Sequence, residues 1–196
     1  MSDRLVLQVI LCSVRSGRVG EPLTRWFSDT ARAHGHFDVE DIDLKETALP
    51  LHDEPDFPVT RKYTQPHTVA WSKTIERGDA YVFVTPEYNH GYSPSAKNAI
   101  DYLCHEWAFK PVSFVSYGGI SAGTRSVQQL MQVLQAVRAV PIAELVAVPF
   151  SHTKLDEDGN LAPDEPLSLA AIAVLDELAR MANGLKPLRR PLPPLS

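Results

Sequence analysis

The sequence predicts an open parallel α/β sheet with helices packed on both faces. Three observations carry that prediction. Five strand-like apolar runs alternate with helical segments along the chain. The first, "RLVLQVILCSV" (4–14), is almost continuously apolar, as strands covered on both faces are. Parallel neighbours also need right-handed crossover connections, and the intervening helices supply them.

Taken in order, the strand at 4–14 leads through a turn-like "RSGRVGEP" into "LTRWFSDTARAH". There Leu23, Trp26, Phe27 and Ala31 fall at helical spacing. "FDVEDIDL" alternates like an edge strand. Residues 45–66 carry Pro50, Pro55, Pro58 and Pro66 and read as a long surface loop, a length usually functional or disordered. "HTVAWSKTIERG" is a helix stopped by Gly78, and "DAYVFV" is the next buried strand. A helix through Asn98, Ala99, Ile100, Tyr102 and Leu103 follows, and then the strand "PVSFVSY". "RSVQQLMQVLQAVRAV" is a helix with Val127, Leu130, Met131, Leu134 and Val137 on one face. "AELVAVPF" is the fifth strand, 151–165 a polar loop, and "LSLAAIAVLDELARMA" the last helix. Prolines bar a helix from the tail "KPLRRPLPPLS", which is expected to be an extended arm. With no repeat and no linker, one domain is expected over 1–184, followed by a proline-rich tail at 185–196.

Composition narrows the function classes. The chain has 196 residues, 44% of them apolar, enough for one core. Its net charge is −5 and no basic block is present, which argues against nucleic acid as a partner. No apolar run is long enough to span a membrane. The N-terminus lacks the features of a secretory signal, so a soluble cytoplasmic protein is expected. The two cysteines, Cys12 and Cys104, form no CxxC, and neither a disulfide framework nor a metal site is expected. The His34-x-His36 pair reads as a surface turn.

In a parallel α/β sheet, ligands bind beyond the carboxyl ends of the strands. Three of those ends carry unusual sequence. "CSVRSGRVG" (12–20) places two hydroxyls, two arginines and two glycines before a helix, where free N–H groups and the helix dipole favour an anion. Arg15 or Arg18 can add charge-assisted bonds to a phosphate, and Ser13 and Ser16 can donate hydroxyls. The alternative is a turn with solvated arginines. Neither GxGxxG nor GxxxxGK[ST] is present.

"TPEYNHGY" (85–92) offers the flat faces of Tyr88 and His90 and the two-way amide of Asn89. Ser93 or Ser95 is the better cap for the following helix, with Pro94 in its first turn, which leaves Glu87 to Gly91 without a structural task. "SYGGISAGTR" (116–125) sets adjacent glycines at a third strand end, where backbone N–H groups can approach a ligand. Together the loops suit a flat, polar-edged ring beside a phosphate, and a flavin mononucleotide better than a dinucleotide.

"PEYNHGYSPSAKNAIDYL" resembles the P-E-Y-N-x-[GS]-x-[PS]-x-x-L-K-N-A-I-D pattern of the NADPH-dependent FMN reductase family, flavodoxin-like proteins that include quinone, azo-dye and chromate reductases. Ala96 stands where that family usually has Leu. "CSVRSGRVG" is similar to the family's G-S-x-R-x-x-S loop, with Cys12 in place of Gly and Arg18 in place of Ser. "YGGISAG" resembles its glycine loop. The resemblance spans about residues 4–180 and implies a three-layer sandwich with strand order 2-1-3-4-5. It implies FMN as cofactor, with Ser13, Arg15, Arg18 and Val19 at the phosphate. Pro86, Glu87, Tyr88 and Asn89 would contact the isoalloxazine, largely through backbone groups, and Ser116, Gly118 and Gly119 its pyrimidine edge.

The activity it implies is hydride transfer from NADPH or NADH through FMN to a quinone, flavin or similar small acceptor, by a homodimer or homotetramer. The cofactor carries the chemistry, so no catalytic side chain is needed. Backbone N–H groups near residues 118 and 119 would stabilise charge on the reduced ring. His90 and Tyr117 are candidates for substrate contact. Two other classes compete. A non-enzymatic electron carrier would be expected to show a T/S-x-T-G-x-T loop and strong acidity. A hydrolase would use Ser13 with a histidine, but no G-x-S-x-G elbow surrounds Ser13, and His152 with Asp156 is the other suggestive pair.

Overall fold

A computed structural model describes residues 4–189 and 191. Strand β1 (Leu5–Leu11) pairs with β2 (Phe37–Asp43) on one side and β3 (Ala80–Pro86) on the other. Strand β4 (Pro111–Tyr117) pairs with β3 and with two short segments, β5 (Val140–Pro141) and β6 (Val146–Val148). Every pairing is parallel and the order is 2-1-3-4-5, the flavodoxin-like arrangement expected.

The fifth position departs from the single strand expected over 143–150. Val140 and Pro141 pair with Pro111 and Val112, while Val146 to Val148 pair with Val115 to Tyr117. Pro141 has no N–H for the ladder, which confines it to a sheet edge. The chain bulges between the two segments, where the Ser113 hydroxyl donates to the Glu144 carbonyl at 2.7 Å.

Side chains alternate between two cores, as the two-residue strand period demands. Leu7, Val9, Leu11, Val82 and Val84 point to the face covered by α1 (Gly20–His34) and α6 (Glu165–Leu185), meeting Leu23, Phe27 and Leu175. Ile10, Tyr81, Phe83 and Phe114 point to the other face. That face is covered by α3 (Pro66–Arg77), α4 (Pro94–Asp101) and α5 (Thr124–Ala136), through residues such as Trp71, Ile100 and Leu130. Helix α2 (Leu44–Thr47) is a single turn directly after β2.

Three other expectations change. Helix α5 stops at Ala136, short of the 140 expected, because Arg138 turns left-handed (φ 62°) to start β5. The 45–66 stretch is not all surface. Arg61 is 3% exposed and Glu106 fully buried, and they pair at 3.0 Å, with the Ser72 hydroxyl at 2.6 Å and the Tyr63 hydroxyl at 3.1 Å from the same Glu106 oxygen. This buried network pins the loop to α3. Past α6, Lys186–Leu188 form a 3₁₀ turn rather than an extended arm. Arg189 then reaches back to Asp79 Oδ1 at 2.5 Å and to the Asp79 and Phe109 carbonyls. Residues 190 and 192–196 of the expected arm lie outside the described residues.

Candidate functional site

The loop after β1 ends on the N-terminus of α1, which has no side-chain cap. Its first backbone N–H groups therefore remain available to an anion. Gly20 is required there, because a Cβ would lie 2.6 Å from Leu11 Cδ1 and 2.7 Å from the Tyr117 hydroxyl. Val19 is half-buried against the first core. Arg15 and Ser16 are exposed. Arg18, by contrast, is turned inward, with its side chain 5% exposed. Its guanidinium grips the Asp43 carboxylate with both terminal nitrogens, donates to the Ser13 carbonyl at 2.6 Å, and reaches Glu21 at 2.8 Å. The hydrogen bond to Asp43 raises its pKa further, so the cation is permanent. Arg18 thus shapes the loop, and Arg15 is the arginine left facing outward. Cys12 is buried, which pushes its thiol well up and leaves it inert. The hydroxyls of Ser93 and Ser95 both donate to the Cys12 carbonyl, tying the loop to α4.

The loop after β3 is a tight two-residue turn. Tyr88 and Gly91 exchange both backbone hydrogen bonds at 2.9 Å, and Asn89 (φ 49°) and His90 (φ 68°) are both left-handed. That is the geometry of a type I′ hairpin turn. Asn89 and His90 are exposed at its tip, and the His90 carbonyl accepts from Gln129 at 2.7 Å. Pro86 ends β3 in register with Tyr117. Ser93 caps α4, accepting from Ala96 N, and Pro94 occupies its first turn, as expected.

The three loops are stitched together. The Ser13 and Tyr88 hydroxyls meet at 2.8 Å, joining the first loop to the second. Glu87 joins the second to the third. Its carboxylate, 8% exposed, accepts from Arg125 Nη1 at 2.7 Å, the Ser121 hydroxyl at 3.0 Å and the Arg125 backbone N–H at 3.2 Å. The last of these caps α5, whose own N-cap residue, Gly123, has no side chain. Burial pushes the Glu87 carboxyl up, but the hydrogen bonds from Arg125 and Ser121 outweigh it and hold the group below the usual range. Gly123 sits at φ 81° with its Cα packed on Tyr117, where a Cβ would lie 2.8 Å from backbone atoms.

At the third strand end, the Gly118 N–H donates to the Val148 carbonyl at 3.4 Å, while the Gly119 N–H has no backbone acceptor among the described residues. Tyr117 is 6% exposed and lies under Gly20 rather than at the site mouth. Among the described residues neither its hydroxyl nor that of Ser116 makes a well-formed hydrogen bond, the Tyr117 hydroxyl lying near that of Ser13, which is itself taken by Tyr88. Buried hydroxyls seldom stay unpaired. Tyr117 points to the α1 face and its hydroxyl fits a bound polar group beneath the first loop, whereas Ser116 points to the opposite face, beside Gly123.

Sequence reasoning missed Asp43, Ser121 and Arg125, which hold Arg18 and Glu87. Their pairing spans 25 to 38 residues, and no local pattern marks such contacts. Ser13 pairs with Tyr88, and no histidine bonds it among the described residues. Asp156 caps its own turn at Asp158 and Asn160. No metal-holding group of His, Cys, Asp or Glu occurs among the described residues, and no helix there is long and apolar enough to cross a membrane.

Strand order and the three joined loops at the strand ends define the flavodoxin-like class of fold. The model of the family described as NADPH-dependent FMN reductase matches residues 6–153, and the chain belongs to that family. An NAD(P)H-dependent FMN reductase of Nectria sp is 38% identical over 193 residues, covering 93% of this chain and 96% of the relative. One of Schizosaccharomyces pombe is 44% identical over 117 residues, which span 59% of this chain and only 58% of that protein. Among solved structures, a flavoenzyme NAD(P)H:(acceptor) oxidoreductase from Paracoccus denitrificans superposes with a TM-score of 0.73 at 20% identity, covering 92% of this chain and 98% of that one.

Proposed function

We propose that the joined loops seat FMN and that the protein passes hydride from NADPH or NADH to a quinone, flavin or similar small acceptor. The observation that carries this reading is the unpartnered Tyr117 hydroxyl beneath the uncapped N-terminus of α1. A phosphate there would satisfy both the hydroxyl and the helix N–H groups. Ser13, Arg15 and the Val19 backbone would complete the phosphate site, with Arg18 holding its shape through Asp43. Pro86, Glu87, Tyr88 and Asn89 would form the shelf for the ring, and Ser116, Gly118 and Gly119 would border its pyrimidine edge. Of the last two, Gly119 has the N–H free to donate.

FMN, when bound, supplies the two-electron hydride chemistry. The residues of the chain orient it, and His90 at the exposed turn tip contacts the incoming substrate. The reading includes a cytoplasmic protein acting as a homodimer or homotetramer. The exposed Leu51, Phe57 and Val59 on the 45–66 loop support such an interface.

An absorbance spectrum of the purified protein, followed by an acceptor panel with both nicotinamides, tests the proposal. Flavin bands and NAD(P)H oxidation in the presence of quinone are expected. A colourless protein that stays inactive after FMN addition refutes it, and bound flavin without steady-state NAD(P)H oxidation would point to an electron carrier.

A further inference from the structure

Two large apolar side chains beside the glycine loop stand exposed to solvent. Ile120, next to Gly119, is 82% exposed, and Phe150, just past β6, is 47% exposed. Phe150 is also held in a conformation that bulky residues avoid, with φ 47° and ψ 45°. The surroundings enforce it from both sides. The Phe150 N–H donates to the Gly119 carbonyl at 3.2 Å and the Ser151 N–H to the Gly118 carbonyl at 3.3 Å. The Phe150 carbonyl accepts from both the Thr153 N–H at 2.8 Å and the Thr153 hydroxyl at 2.9 Å. A strained residue persists only where its neighbours over-determine it, and such residues concentrate at functional sites. The same bonds fasten the Phe150 backbone to the loop that carries Ile120, so the two exposed side chains project from one joined segment at the glycine-loop edge of the site, called the rim below.

We infer that Ile120 and Phe150 select the electron acceptor by contacting its apolar substituent, which favours quinones bearing an alkyl chain. This rests on the reading of the site as an FMN-dependent reductase. Nicotinamide nucleotides carry phosphates and ribose, and free flavins a polyhydroxylated ribityl chain, so both gain little from a greasy rim. An alkylated quinone loses apolar area to it and gains affinity in proportion.

The test compares one dimethoxy-methyl-benzoquinone ring with and without a decyl chain, using wild type, Ile120→Ser, Phe150→Ser and Phe150→Gly. The read-out is the ratio of kcat/KM for the two quinones, together with the dissociation constant of each by equilibrium dialysis. Losing contact with one large apolar side chain lowers the ratio and the decyl quinone's affinity by about tenfold. Phe150→Gly, which relieves the positive φ, lowers the ratio while keeping or raising the melting temperature, so misfolding cannot explain the result.

An unchanged ratio, or equal losses for both quinones, overturns the inference. So does a fall in assembly size with the loss of activity, because the rim would then be an interface between copies. A wild-type protein without FMN or NAD(P)H oxidation brings down the underlying reading, and the rim with it. That result is told apart by the wild-type spectrum alone.

Discussion

Replacing Glu87 should loosen the third loop from the second without touching either core. The carboxylate makes three hydrogen bonds, and their separate worth can be set from the structure. The ion pair to Arg125 is half open to water, with Arg125 45% exposed, so it contributes about 0.5–1 kcal/mol. The cap on the Arg125 N–H is worth about 1 kcal/mol, and the Ser121 bond about 0.5–1 kcal/mol. Glu87→Ala should therefore cost about 2–3 kcal/mol. Glu87→Gln keeps an acceptor for the cap and costs about 1 kcal/mol.

For a domain of this size, those values lower the melting temperature by about 5–10 °C and about 2–4 °C respectively. The pH dependence has a fixed sign. The folded pKa of Glu87 is depressed, so its charge stabilises the protein above the unfolded carboxyl pKa of about 4.3, and that gain is lost as pH falls through the folded value. The gap between wild type and Glu87→Gln should thus be full at neutral pH and shrink in acid. Differential scanning fluorimetry across pH measures it. Two variants that both melt with the wild type would refute the argument, as would a gap that stays constant into acid.

Gly20→Ala should destabilise by about 1–3 kcal/mol, because its Cβ would overlap Leu11 and the Tyr117 hydroxyl. Adding Tyr117→Phe should recover part of the loss in urea titrations. Tyr117→Phe alone removes an unpartnered buried hydroxyl, so it should leave the flavin-free protein as stable or more stable while weakening FMN binding in fluorescence titrations. Glu106→Ala removes the fully buried carboxylate that Arg61, Tyr63 and Ser72 share, although Arg61 keeps Glu76 at 3.3 Å, and should cost about 3 kcal/mol, with Arg61→Met/Glu106→Leu less harmful than the single change. Burial lowers the pKa of Lys110 to about 7, although its ammonium faces the Ile75 and Glu76 carbonyls and the Tyr81 hydroxyl. The folded state thus binds fewer protons than the unfolded one from about pH 7 up to the ordinary lysine range near 10.4. The stability of wild type relative to Lys110→Met should therefore rise over that interval, by at most about 1.4 kcal/mol per pH unit. A flat difference in chemical denaturation would refute it.

The sheet was legible in the chain because its signals are local. Continuous apolar runs such as 4–14 mark doubly covered strands, and helical spacing at Leu23, Phe27 and Ala31 needs no distant partner to be recognised. The three loops of the candidate site were legible for the same reason, since each lies directly after a strand and breaks the pattern of a simple turn. Strand β5 was hidden because Val140 reads as the end of the helix at 125–140, and Pro141 with the 142–145 bulge separates it from the apolar run at 143–150.

Which of the site's charges face solvent depends on contacts that exist only in the folded chain. Arg15 and Arg18 look equivalent in sequence, yet Asp43 at the end of β2 claims Arg18 and leaves Arg15 exposed. The Glu87 carboxylate, to which the sequence assigns no structural task, braces and caps α5. Tyr117 looked like a residue of the site mouth and lies under Gly20. The layers, the strand ends and the residues gathered there can be read from the chain alone, because propensity and periodicity act within a few residues. Partnership between charges acts across tens of residues, through distances that exist only once the sheet has brought its strand ends together.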